Sequence, residues 1–134
     1  MNTNYGMEIV RATEIAALTA ARQQGLGNNE EILNNARSAI TKTLDRIPIE
    51  GTVINDRFKN VDNIVQLPSV IGSGGPKTDV MAIALEGYKS AADGRNNVTS
   101  FAVITNEDPI QTIPNLLMYK LVVGPKVGNV IDIN

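Results

Sequence analysis

The residues that could do chemistry in this 134-residue chain are few and scattered. A glycine-rich tract at 72–75 could hold a phosphate with its backbone N–H groups, but it lacks the Lys-Ser/Thr ending of a nucleotide-binding loop. Asp62 and Glu86 are isolated carboxylates with no partner at a recognisable spacing, which is typical of solvated surface positions. The tract is therefore interpreted as a plain loop, and the two carboxylates as surface residues.

The residue types that are missing exclude several kinds of site. The chain has no histidine and no cysteine, so the commonest general base, thiolate metal ligands and disulfides are absent. A bound metal would have to be a hard cation held by carboxylates. The net charge of -2 gives no electrostatic attraction to nucleic acid or an anionic membrane, and neither is expected as a partner. We expect a cytoplasmic protein, because the sequence shows no signal peptide and no apolar run long enough to cross a bilayer.

Two amphipathic helices are predicted at the start of the chain. The segment 7–24 carries apolar residues at every third or fourth position, and glycines follow it. Asn28 is a suitable N-cap for a second helix, since Glu31 follows three residues later as in a capping box. That helix is expected to continue to Ile47, where Pro48 ends it.

Beyond the second helix, short apolar runs bounded by turn residues predict β-strands. The predicted strands are 49–54, 67–71, 80–85, 98–105, 116–123 and 130–133. The run at 80–85 is continuously apolar, which predicts a buried strand. Two helices followed by five or six strands predict an α+β fold, in which the two N-terminal helices pack on a mixed β-sheet. No linker or repeat interrupts the chain, so residues 1–134 are predicted to form a single domain.

Six tracts, in order along nearly the whole chain, carry a family resemblance. They lie at 8–18, 25–27, 49–54, 85–87, 114–125 and 131–134. Among them, Leu85-Glu86-Gly87 is similar to the end of a D-P-x-E-G-T motif, and the final four residues are similar to I-D-L-N. Together they resemble the amino-terminal half of the class II fructose-1,6-bisphosphatases, which have the lithium-sensitive phosphatase-like fold. The resemblance implies half of a sugar-phosphatase fold and an activity that depends on Mg²⁺ or Mn²⁺ held by several carboxylates.

The positions that correspond to the family's metal site have mostly lost their carboxylates. Leu33 stands at the Asp of the family's K-N-T-x-D motif, Arg57 at the first Glu of G-E-G-E, and Ile83 at the Asp of D-P-x-E-G-T. Glu86 is the family-like carboxylate that remains. An aspartate buried without a metal would cost several kcal/mol, and leucine or isoleucine removes that cost. The former metal site is therefore expected to have become core or cavity lining, with no metal, no cofactor and no catalytic residue.

Two further departures affect the substrate site. Tyr88 replaces the family's Thr associated with water activation, and Leu117 stands at its substrate-contacting Tyr. The chain is also expected to stop, at Asn134, before the family's second α/β domain begins. We therefore expect a non-catalytic homologue that acts as an interaction or scaffold module.

Other functions stay open at this point. One is a ligand-binding module that retains a remnant sugar-phosphate pocket formed by Glu86, Gly87, Tyr88 and the glycine tract at 72–75. Others are a residual phosphatase of the family type, or an enzyme of another kind.

The expected partner is a second copy of the chain, or else another protein. Four apolar or aromatic residues near the former cleft would form the interface of a homodimer: Leu33, Ile83, Tyr88 and Leu117.

Overall fold

The computed structural model describes residues 5–54, 67–96, 99–105 and Gly124. Its elements, in chain order, are α1 (Tyr5–Ala21), α2 (Asn29–Leu44), β1 (Glu50–Val53), β2 (Val70–Ile71), β3 (Lys77–Glu86), α3 (Tyr88–Ala92) and β4 (Thr99–Thr105). The predicted strands at 116–123 and 130–133 lie outside the described residues, as do Arg57, Asp62 and Leu117.

The start of α2 confirms Asn28 as the predicted N-cap, while Glu31 bonds back to the Asn28 side chain and not to its backbone N–H. Asn28 has an extended backbone, and its Oδ1 accepts a hydrogen bond from the Glu31 N–H at 3.1 Å. The Asn28 Nδ2 in turn donates to Glu31 Oε2 at 2.9 Å. These bonds satisfy one of the N–H groups that a helix start leaves without an intrahelical acceptor.

The two helices form one layer over the sheet. On α1 the buried residues are all alanines, at positions 12, 16 and 20. Because alanine is small, the α1 backbone can lie close to α2 and β4, which it contacts. The larger side chains come from α2, which buries Ile32, Leu33, Ala36, Ile40 and Leu44. Together with apolar residues of the sheet they form one core cluster.

The sheet is mixed, as predicted. Its strand order is β2-β1-β3-β4, with β1 parallel to β3, and with β2 and β4 antiparallel to their neighbours. This confirms the predicted α+β fold with two N-terminal helices on a mixed sheet. Strand β3 lies at the centre and begins three residues earlier than predicted, because Lys77 pairs with Glu50 of β1.

Strand β3 is not buried on both faces, contrary to the sequence prediction. From Thr78 to Ala84, even-numbered residues are buried and odd-numbered residues are half-buried. The strand therefore packs one face against the core and leaves the other partly accessible, which is the pattern of a sheet covered on one side. Within the described part of the chain, no helix is long and apolar enough to cross a membrane.

Candidate functional site

A cavity of about 280 Å³ opens at the C-terminal end of β3. Its lining comes from the end of that strand, the turn that follows, and the first turn of α3: Ile83, Leu85, Glu86, Gly87, Tyr88, Lys89 and Ser90. A single residue joins the two elements. Gly87 adopts the left-handed conformation at φ 69°, and its carbonyl accepts a hydrogen bond from the Ala91 N–H. Glycine enters this conformation without the steric penalty of a Cβ atom, so the chain can turn directly from strand to helix.

A β-bulge determines which β3 side chains reach the cavity. Ile83 pairs with Phe101 and Glu86 pairs with Thr99, so three steps along β3 oppose two along β4. Regular alternation would place Ile83 and Glu86 on opposite faces of the sheet. The extra residue instead moves Glu86 onto the partly accessible face that Ile83 occupies, while Ala84 and Leu85 are both buried. The two side chains therefore belong to one site.

The polar groups of the cavity are mixed in charge. Glu86 supplies an exposed carboxylate, Lys89 an exposed ammonium group and Ser90 a half-buried hydroxyl. The Lys89 Nζ lies 5.9 Å from the centroid of the Tyr88 ring, within the range of a cation–π contact. Such a set can bind an anion or a polar organic molecule through the ammonium and hydroxyl groups.

The same donor set does not fit a divalent metal. Mg²⁺ and Mn²⁺ prefer several oxygen ligands, usually including more than one carboxylate. Among the described residues that line the cavity, Glu86 is the one carboxylate, and Lys89 adds a positive charge. No group of three His, Cys, Asp or Glu residues that could hold a metal ion occurs among the residues that the structure describes.

The structure brings together four of the residues that sequence analysis identified: Ile83, Glu86, Gly87 and Tyr88. Leu33 is not among the lining residues. Its side chain is 7% exposed and belongs to the hydrophobic core. Leu33 can therefore contribute very little surface to a dimer interface, which corrects its place in the predicted interface set. Ile83 and Tyr88 are half-buried and stay candidates.

The glycine loop is not part of this cavity, contrary to the predicted remnant pocket. It precedes the start of β3, whereas Glu86 ends that strand, so roughly 30 Å of extended chain separate them. Three of its four N–H groups also make hydrogen bonds within the protein: Ser73 donates to the Ile47 carbonyl and Gly74 to the Ile49 carbonyl, while Gly72 donates to Asp45 Oδ1 at 3.4 Å. The loop is therefore hydrogen-bonded to the segment around Pro48, and these N–H groups are not available to bind a phosphate.

Sequence reasoning missed Lys89 and Ser90 as site residues. Both lie within three residues of the Glu86-Gly87 pair, with Tyr88 between. Because the first turn of α3 folds back on the end of β3, its side chains face the same opening as Glu86. Their closeness to that pair was the available signal.

A layer of two helices on a mixed sheet, with a Glu-Gly turn at the end of its central strand, agrees with the sugar-phosphatase class that the sequence resembles. The family model described as bacterial fructose-1,6-bisphosphatase, glpX-encoded, matches residues 3–134. The chain therefore belongs to this family.

Curated relatives agree with the family match. The chain is 27% identical over 136 residues to fructose-1,6-bisphosphatase 1 class 2 of Escherichia coli (strain K12), and all of the chain is covered. It is 28% identical over 129 residues to fructose-1,6-bisphosphatase 2 class 2 of the same organism, with 94% of the chain covered. The chain spans about 40% of the length of each of these relatives.

Proposed function

We propose that this chain is a non-catalytic member of the family that acts by binding rather than by hydrolysing a phosphate ester. The observation that carries the proposal is that the side chains of Ile83 and Glu86 line the same cavity. An apolar side chain occupies the position that the family resemblance assigns to a metal-binding aspartate. The part of the cavity that the structure describes consequently offers a single carboxylate, where the family's chemistry needs several.

The charge of the cavity supports the same conclusion. Glu86 is exposed to water, so its attraction for a divalent cation is strongly screened. Lys89 lines the same cavity and repels a cation. A hydrated Mg²⁺ gives up its water shell reluctantly, and one screened carboxylate beside an ammonium group is a poor replacement for that shell.

The environment of Leu33 is a second support. The resemblance assigns another metal-site aspartate to this position, and here the side chain is packed in the core with Ile32 and Ala36 of α2. Both assigned aspartate positions therefore hold aliphatic side chains, one buried and one on the cavity wall.

A ligand-binding role is the second candidate, because the cavity keeps groups suited to a phosphorylated sugar. Its volume of about 280 Å³ is close to the lower end of the range for small-molecule sites. Lys89 could bind the phosphate, while Glu86 could accept hydrogen bonds from sugar hydroxyls. This candidate needs no metal and is compatible with the loss of hydrolysis. We also propose a cytoplasmic location, where sugar phosphates are available.

Calorimetry and thermal shift together test these proposals. We expect titration with Mn²⁺ to show no saturable binding at neutral pH, whereas micromolar affinity that Glu86→Gln removes would contradict the non-catalytic proposal. In a thermal-shift assay, fructose 6-phosphate should raise the melting temperature if the cavity binds a sugar phosphate. Lys89→Ala should abolish that shift and Lys42→Ala, on the exposed face of α2, should leave it unchanged. A shift that survives Lys89→Ala would place the ligand elsewhere.

A further inference from the structure

A serine hydroxyl of β4 bonds to the backbone of the bulge in β3. Between Ile83 and Glu86 the pairing of β3 with β4 shifts by one residue. Ser100 is consequently the residue of β4 that lies opposite both Ala84 and Leu85. Its Oγ donates a hydrogen bond to the Ala84 carbonyl at 2.7 Å. The side chain of Ser100 therefore holds β3 at the first residue of the bulge.

This hydrogen bond offsets part of the free energy that the bulge costs. A bulge inserts a residue without a partner across the ladder, so the backbone pairing is locally disrupted. Ser100 lies on the same face of β4 as Ala102 and Ile104, which pack against the core. Ala84 is fully buried, so donors to its carbonyl come from the protein rather than from water. Loss of the serine hydroxyl removes one such donor.

We propose that Ser100 is a positioning residue for the cavity, because its hydroxyl holds the bulge that keeps Glu86 on the face of β3 occupied by Ile83. In a regular ladder the side chain of Glu86 would lie on the opposite face, toward the core. The proposal rests on the binding role proposed for the cavity, and it adds the group that sets the direction of the cavity's carboxylate. Ser100 is not among the lining residues, so it acts through the backbone of β3 and not by touching a ligand.

The burial of Leu85 acts in the same direction as the hydrogen bond. Leu85 is 1% exposed, whereas regular alternation would turn its side chain to the partly accessible face. Hydrophobic burial is non-directional, so it favours the bulge without fixing the backbone at one residue. The hydrogen bond is directional and supplies that restraint. Because Leu85 stays in every variant of Ser100, β3 should remain folded when the hydroxyl is removed.

A pair of introduced histidines measures whether positions 83 and 86 share a face. The chain has no histidine and no cysteine, so no native imidazole or thiolate competes for a metal. In Ile83→His/Glu86→His, two imidazoles on one face can bind Ni²⁺ together, whereas imidazoles on opposite faces cannot. Met81→His/Ile83→His is the matched control, because these two positions share a face through the regular alternation of β3.

Ni²⁺ affinity is then measured by calorimetry for each histidine pair with serine, alanine or threonine at position 100. With serine, both pairs should bind. Ser100→Ala should weaken binding by the 83/86 pair about fivefold, the factor that corresponds to loss of one hydrogen bond. Ser100→Thr restores a hydroxyl and should bind as the serine chain does. The control pair should have the same affinity with all three residues, because it lies before the bulge.

Four results would overturn the proposal. Absence of Ni²⁺ binding by the 83/86 pair in the serine chain would show that the two positions do not share a face. Equal affinity with serine and alanine, or threonine that binds no better than alanine, would show that the hydroxyl does not position residue 86. An equal loss in the control pair would indicate a general loosening of β3.

The histidine measurement is independent of any sugar phosphate. Failure of the chain to bind fructose 6-phosphate would contradict the ligand-binding candidate and leave the role of Ser100 in the bulge intact. Urea denaturation of each variant confirms that the chain used in calorimetry is folded.

Discussion

Ile83 and Glu86 share one cavity although they lie three positions apart on a β-strand, because a bulge in β3 moves Glu86 onto the face that Ile83 occupies. The backbone geometry therefore brings two side chains to one opening, and the identity of the residue at position 83 decides how many carboxylates are present there. Bulges frequently re-aim side chains next to functional sites.

Restoring a carboxylate at this position should restore some affinity for metal. In Ile83→Asp the new carboxylate would face the same cavity as Glu86, so we expect weak but saturable Mn²⁺ binding, which the parent chain should not show. Calorimetry measures the change. Met81→Asp is the control, since Met81 is half-buried on the same face of β3 but does not line the cavity. Equal affinity in the parent chain and both variants would show that the bulge does not bring positions 83 and 86 together.

The burial of Leu33 predicts that Leu33→Asp will strongly destabilise the domain. An unpaired carboxylate would replace a core side chain that is 7% exposed, at an expected cost of about 3 kcal/mol in the free energy of unfolding. Urea denaturation followed by circular dichroism gives the value. Asn34→Asp, at the adjacent exposed position of α2, should change the stability by less than about 0.5 kcal/mol. Similar values for the two variants would place Leu33 at the surface.

The glycine loop should respond to substitution as a structural turn. A Cβ atom on Gly72 would lie 2.2 Å from the Ile49 carbonyl oxygen, whereas one on Gly74 would meet nothing within 4 Å. Both glycines have positive φ, so both alanine variants carry backbone strain of about 1 kcal/mol. Gly72→Ala should cost at least about 1 kcal/mol more than Gly74→Ala in urea denaturation, because the clash adds to the strain. Equal costs would mean that the loop does not pack against the chain near Pro48.

Local patterns explain why the helical layer could be predicted from sequence. The apolar period of α1 and α2 and the Asn28–Glu31 capping box depend on residues within one or two helical turns. Both helices consequently lie where the pattern indicates. Their observed ends differ from the predicted ends by at most three residues. The mixed sheet and the α+β class followed from the succession of elements and from the family resemblance, whereas the strand order did not.

The geometry of the site could not be read in the same way, because it depends on contacts between distant strands. The bulge is defined by the register of Ile83 and Glu86 against β4, and hydrophobic alternation along β3 does not reveal it. The hydrogen bonds that occupy the glycine loop join it to residues about 26 positions earlier, at Ile47 and Ile49. Leu33 was correctly expected to extend the apolar side of α2, but its burial in the core removed it from the predicted interface.

Phosphate release from fructose 1,6-bisphosphate tests the central claim most directly. The purified chain should release no phosphate above the blank with either Mg²⁺ or Mn²⁺, because the described lining of the cavity holds no carboxylate besides Glu86 to bind the ion. Fructose-1,6-bisphosphatase 1 class 2 of Escherichia coli, assayed in parallel, confirms that the conditions support hydrolysis. Metal-dependent release by the chain that Glu86→Gln abolishes would contradict the account and would assign a catalytic role to the cavity at the end of β3.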